Sequence, residues 1–133
     1  VACIVALVKE YGGIEFVLSF IKKRISDERG GELGIAALSL VVDMCTANNT
    51  VAIVMAGPIA KEISDEFGVT PRRSASLLDM FSSMGQGLIP YGAQLLAAAS
   101  LTGLTPFEII PYCFYPILMG LSGLVFIFMK KRK

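Results

Sequence analysis

The chain has no histidine and no tryptophan, and only 17% of its 133 residues are charged. Without histidine, the usual general base near neutral pH and a common zinc ligand are both missing. P-loop, nucleophile-elbow and metal-ligand spacings are absent too. Neither Asp43 nor Asp79 follows the Gly-x-Gly pair of an intramembrane aspartyl protease. No enzymatic chemistry and no cofactor is therefore expected. Cys3, Cys45 and Cys113 stand in apolar surroundings at spacings that match no metal or redox motif. Their odd number argues against a disulfide framework, so they read as small hydrophobic residues. The net charge of +1 offers no basic face to nucleic acid, because Lys and Arg are clustered between apolar segments. An initiator Met and a basic leader are lacking as well: the chain opens at Val1 inside an apolar stretch, and a fragment of a longer protein is the expectation.

What fills the chain instead is apolar. Hydrophobic residues make up 54% and the mean hydropathy is +0.66, beyond an ordinary soluble domain. The class expected is an all-α polytopic membrane protein, in which each apolar run can be tested against the roughly 20 residues that a bilayer core requires. Residues 1–8 read as the end of a span, closed by Gly12 and Gly13. Next, Ile14, Val17, Leu18, Ile21 and Ile25 recur at helical spacing among Glu15, Ser19, Lys22 and Lys23, the pattern of an interfacial amphipathic helix ending near residue 25. A tilted span over residues 1–21 is the alternative. "KKRISDERGGE", residues 22–32, reads as a polar loop.

The run over residues 33–60 holds a single charge, Asp43. As one straight helix it would be about 42 Å long, too long for one span and too short for two. Divided at Asn48 and Asn49 it becomes a re-entrant hairpin with two short arms. Charge placement points the same way. Eleven of the 12 Lys and Arg fall in residues 22–29, in 61–73 and in the terminal "KKRK". A hairpin puts all three patches on one face, which the positive-inside rule assigns to the cytoplasm, with a multi-pass location in the cell membrane.

The third run, residues 74–100, follows Thr70 as N-cap and Pro71 at the first helical position. Its centre, "SSMGQGLIPYGAQ", crowds Gly85, Gly87, Pro90 and Gly92 together. Proline removes a donor and each glycine weakens the helix, so a discontinuous span is expected. The fourth run, residues 106–129, opens with a capping box, Thr105 and Glu108, and reads as a C-terminal span kinked at Pro111 and Pro116. Together these make a single membrane domain over residues 1–133.

Two breaks in consecutive segments expose backbone at membrane depth, which is tolerated where it lines a cavity or is buried in protein. Asp43 forms a polar stripe with Ser39, Thr46 and Thr50, and Asp79 heads a second with Ser82, Ser83 and Gln86. Low-dielectric surroundings favour a protonated carboxyl and a bound cation favours a carboxylate, so one such group can exchange a proton for a metal ion. The alternatives are a hydrogen-bonded structural Asp43 and an interfacial, snorkelling Asp79. Tyr112 and Tyr115 read as belt or packing residues.

From Thr46 to Gln94, "TANNT", a polar loop ending in Gly-Val-Thr-Pro, and "LIPYGAQ" resemble the C-terminal part of the NhaC-type sodium/proton antiporters. More distantly, they resemble the hairpin and broken helix of the ion transporter superfamily that includes sodium-coupled dicarboxylate carriers. The resemblance implies a cation-binding tip at Thr46, Asn48, Asn49 and Thr50, with sodium at Asn48, Asn49 and Thr50. It also implies a facing break at Gly87, Pro90, Tyr91, Gly92 and Gln94. Two inverted repeats with one hairpin each are implied, so this chain holds about half of a transport site. The remaining half or another subunit would complete it, and a homodimer is an open arrangement. The implied function is sodium/proton antiport in a lipid bilayer. Exchange of an organic acid such as malate or lactate, and a non-transporting membrane subunit or fragment, are the alternatives.

Overall fold

The computed structural model describes residues 3, 6, 7, 10–24 and 27–129, and these form helices with no strand among them. In chain order the helices are α1 (Gly13–Arg24), α2 (Glu28–Thr46), α3 (Asn49–Phe67), α4 (Pro71–Leu88), α5 (Ala93–Thr102) and α6 (Pro106–Ile109). A 3-10 turn (Ile110–Tyr112) and α7 (Phe114–Phe128) follow. Gly12, at φ 72°, precedes α1. The side chains at 14, 15, 17, 18, 21, 22 and 25, which carry the amphipathic pattern, lie outside the described residues.

The long apolar run folds back on itself at two residues, Ala47 and Asn48. Ala47 takes the left-handed conformation (φ 49°), and its N–H donates to Asp43 O at 2.7 Å. Asn48 is extended, and its side-chain oxygen accepts from Val51 N at 3.2 Å, satisfying one of the open donors of α3. The arms run antiparallel, because Phe67 at the end of α3 packs on Gly31 near the start of α2.

Each arm has 19 residues, so the two together extend past both ends of the apolar run. The segments read as polar loops, residues 22–32 and 61–73, are partly helical, and packing explains why. A Cβ at Gly31 would lie 2.6 Å from Phe67 Cβ, so the glycine that looks like a loop signal is what lets the helices meet. Ile59, Ile63 and Phe67, spaced by four, carry the packed stripe of α3 through its charged end.

α4 runs parallel to α2. Arg73 meets Glu32 at one end, the Ser39 hydroxyl donates to Leu78 O at 2.8 Å midway, and Gly85 faces Asp43 at the other end. Between them lies a core of Ile35, Leu38, Ala56, Ala60, Ile63, Leu77, Leu78 and Phe81. α7 packs antiparallel on α4: Gly123 faces the Phe81 ring, Gly120 faces Met84, and Gly87 faces Pro116. The start of α2, the end of α3 and the start of α4 therefore share one end of the bundle. Arg73 reaches the end of α7 there, donating to Phe126 O at 2.9 Å. Arg29 and the patch at 61–73 lie at that end, whereas residues 25, 26 and 130–133 lie outside the described residues.

α4 stops at Leu88, and the chain turns through Gly92 N–H to Ile89 O (3.0 Å) before α5 begins. Pro90 has no N–H to offer Gln86 O, so the helix cannot run through. Glu108 Oε2 accepts from both the N–H and the hydroxyl of Thr105 at 2.8 Å, the expected cap. The helix expected over residues 106–129 is divided at Cys113 (φ −83°, ψ 68°). Pro111 and Pro116 remove two helical donors within six residues, enough to separate α6 from α7 and not merely kink one helix. Among the described residues no single helix is long and apolar enough to cross a membrane. The segment Pro71–Thr102 with Pro106–Tyr112, bent by 96°, meets the length and composition needed as a pair.

Candidate functional site

Reversing a chain between two helices leaves backbone groups without partners, because the last carbonyls of one helix and the first N–H groups of the next have no intrahelical bond. Here α4 and the break after it take up two of these groups. Asn49 N–H, at the first position of α3, donates to Gln86 Oε1 at 3.0 Å. Met44 O, near the end of α2, accepts from the Tyr91 hydroxyl at 2.6 Å.

The Asn49 side chain engages the same helix through both its nitrogen and its oxygen. Its Nδ2 donates to Ser83 Oγ at 3.1 Å, and its Oδ1 accepts from the buried Ser82 hydroxyl at 2.5 Å. Ser82 Oγ also lies 2.6 Å from Leu78 O. Ser82, Ser83 and Gln86 can all reach one asparagine because i, i+1 and i+4 share a helix face. The structure thus brings Asn49, Ser82, Ser83 and Gln86 into one neutral polar cluster.

Asp43 faces the same helix at Gly85. The residue is 0% exposed, and neither carboxyl oxygen has a hydrogen-bond partner among the described residues. The missing side chain of Gly85 makes its space, since a Cβ there would lie 2.7 Å from Asp43 Oδ2. An uncompensated carboxylate in an apolar interior is costly, so this group is stable there when a proton or a cation neutralises it. The C-terminal ends of α2 and α4 lie within two turns of it and add partial negative charge; the N-termini of α3 and α5 follow close behind with the opposite sign.

The other expected residues are placed differently. Thr46 is half-buried, and its hydroxyl lies 3.3 Å from Asn48 O. Asn48 is exposed and spends its Oδ1 on the α3 cap; Thr50 is exposed. Of the three residues expected to hold sodium, Asn49 turns to α4 while Asn48 and Thr50 face outward. The amide oxygens of Asn48 and Asn49 each keep a second lone pair. Asp79 is exposed one turn before the cluster, and its backbone oxygen lies 3.3 Å from Ser82 Oγ. In the break, Gly87 is covered by Pro116. Gly92 is buried where a Cβ would come 3.1 Å from Ile89 O, and Gln94 is exposed on α5. No group of three or more His, Cys, Asp and Glu side chains capable of holding a metal occurs among the described residues.

Sequence reasoning missed a groove of about 260 Å³. Leu40, Met44, Met84, Leu88, Ile89 and Tyr91 line it, with Gly85 at its wall. Apolar side chains carry no chemical signature, and only the fold shows that they flank a buried carboxyl.

The family model described as the Na+/H+ antiporter family matches residues 2–131. Among curated proteins, the chain is 25% identical over 122 residues to the arginine/ornithine antiporter ArcD of Halobacterium salinarum. That match takes in 86% of this chain and 25% of the relative, so the chain spans a quarter of the length of the curated protein it matches. No solved structure matches it.

Proposed function

This chain belongs to the Na+/H+ antiporter family, and on that premise we propose that it carries the cation-handling part of a secondary antiporter that exchanges sodium for protons across a membrane. The observation that supports this most directly is Asp43: fully buried, unpartnered among the described residues, and facing Gly85 on the helix that carries Ser82, Ser83 and Gln86. A carboxyl in that position holds a proton or a cation but not both, and mutually exclusive occupancy is what antiport requires. Ser82, Ser83, Gln86 and Asn49 supply neutral oxygen ligands of the kind a small hard cation takes. Supporting this reading, side chains of α4 and its break supply the partners that two backbone groups at the hairpin tip lack.

The test uses the intact protein in sealed vesicles, with sodium-driven proton flux as the readout. Asp43→Asn preserves shape and cannot release a proton, so it abolishes exchange while leaving the protein folded. Exchange at the unaltered rate would remove Asp43 from the mechanism.

The groove favours a second reading. A small inorganic ion has no use for a 260 Å³ space lined by Leu40, Met44, Leu88 and Ile89, whereas the aliphatic stem of an organic cation fits one. The relative in Halobacterium is named for arginine and ornithine. Uptake of labelled arginine or ornithine into the same vesicles without sodium separates the two readings. An organic acid fits less well, since its carboxylate would approach Asp43.

A further inference from the structure

The pairing of Tyr91 with Met44 carries a consequence for the site proposed above. α2 closes through Ala47 N–H to Asp43 O at 2.7 Å. The next carbonyl, Met44 O, would take its helical donor from residue 48, but Asn48 has left the helix (φ −148°) to begin α3. Its donor comes instead from the break in the neighbouring helix, as the Tyr91 hydroxyl at 2.6 Å. Tyr91 occupies that place because Pro90 ends the helical hydrogen bonding and the turn closed by Gly92 N–H to Ile89 O swings the chain over the end of α2. The ring, half-exposed, forms a wall of the groove with Met44 and Leu40.

We infer that Tyr91 is a positioning residue for the cation site, acting through its hydroxyl: by closing the carbonyl left open at the end of α2, it fixes the turn that carries Asp43 against the break in α4. The inference rests on the antiport reading for its functional part. Met44 directly follows Asp43, so freedom in its carbonyl is freedom in the turn that aims the carboxyl. Loss of the hydroxyl does not detach the hairpin tip, because Asn49 stays bound to Gln86, Ser82 and Ser83. The effect is confined to the last turn of α2, and it changes how well the site is formed, not whether a proton can leave.

Tyr91→Phe keeps the ring and removes only the hydroxyl. In the intact protein in vesicles, the half-saturating sodium concentration for proton flux should rise about five- to tenfold, the effect of one net hydrogen bond, with the maximal rate little changed. Cys45, exposed in the same turn, is the local probe. Its alkylation by a maleimide, read by mass spectrometry of its peptide, should quicken in the variant. An unchanged half-saturating concentration overturns the inference, and so does faster alkylation without that change, which would make the tyrosine merely structural. If the unaltered protein shows no sodium-driven flux, the antiport reading fails separately. Cys45 alkylation then still decides the contact, and equal rates in the two forms overturn it.

Discussion

Gly85→Ala places one methyl group against the carboxyl on which the proposed mechanism depends. The added Cβ would lie 2.7 Å from Asp43 Oδ2 and 3.3 Å from Leu40 Cδ2, inside the roughly 3.5–4.0 Å at which unbonded carbons rest. Two terms oppose one another. Alanine in a helix interior is favoured over glycine by about 1 kcal/mol, while overpacking a filled interior costs about 1–3 kcal/mol. Asp43 is fully buried and cannot swing into water, so the second term should win and leave a net loss of up to about 2 kcal/mol. A double-mutant cycle isolates the cause. In an Asp43→Ala background the methyl has room, the clash vanishes, and the substitution at 85 becomes neutral or stabilising. The coupling between the two positions should be about 1–3 kcal/mol. Chemical unfolding of the intact protein in detergent, followed by helical circular dichroism, measures all four corners. Additive effects would mean that Gly85 does not face Asp43, and the site as described would fall with it.

Further substitutions probe the opposite end of the bundle. Gly31→Ala meets Phe67 Cβ, an atom fixed to the backbone, so the hairpin arms must separate; it should cost more than Gly85→Ala, about 2–3 kcal/mol in the same unfolding assay. Phe67→Ala should not relieve that cost, because the clashing Cβ remains. Arg73→Met leaves Glu32, 2% exposed, without its bidentate partner and should destabilise by about 3–5 kcal/mol. Arg73→Lys should recover only part of this, since a single ammonium cannot grip both Glu32 oxygens and Phe126 O while stacking over the Phe126 ring as the guanidinium does at 4.3 Å. Equal stability of the Met and Lys variants would count against that geometry.

The breaks in this chain are the parts a reader of the sequence can find. Asn48 and Asn49 interrupt an apolar run too long for one span, and the chain reverses at Ala47 and Asn48. Pro90 and Gly92 announce the end of α4, and Thr105 with Glu108 the start of α6. Each is a local steric or hydrogen-bonding fact, which is why sequence carries it. The extents of the hairpin arms are not local. Gly30 and Gly31 look like loop residues until Phe67, 36 positions later, is seen packed on Gly31. At the candidate site, the face formed by Ser82, Ser83 and Gln86 follows from helical spacing, but which tip residue they hold does not. The resemblance gives Asn48, Asn49 and Thr50 equal standing; the fold commits Asn49 alone to α4. Asp79 shares the stripe and misses the cluster by one turn. The resemblance implies Tyr91 for its place in the break, whereas its hydroxyl is what engages the tip. That role depends on an open carbonyl that exists only once α2 has ended.

The two ends of the bundle are held by different forces, and the difference bears on how a charge change at Asp43 could move anything. At the basic end, Glu32, Arg73 and Phe126 O join three helices through a charged fork that is costly to break. At the tip, α2 and α3 are joined to α4 and its break by four side-chain hydrogen bonds, from Asn49 to Ser82, Ser83 and Gln86 and from Tyr91 to Met44 O. Neutral bonds of this kind contribute about 1 kcal/mol each after exchange with water. Leaving a buried carboxylate without a counter-charge costs several kcal/mol, comparable with all four together. Under the proposed mechanism, gaining or losing a proton or cation at Asp43 would therefore be large enough to decide whether the tip stays docked on α4. It need not disturb the ion pair at the far end, where the start of α2 stays anchored by Glu32. A hinge of that kind needs a fixed end and a labile one, and the sequence supplies them by spending its buried charge pair on the first and only amides and hydroxyls on the second.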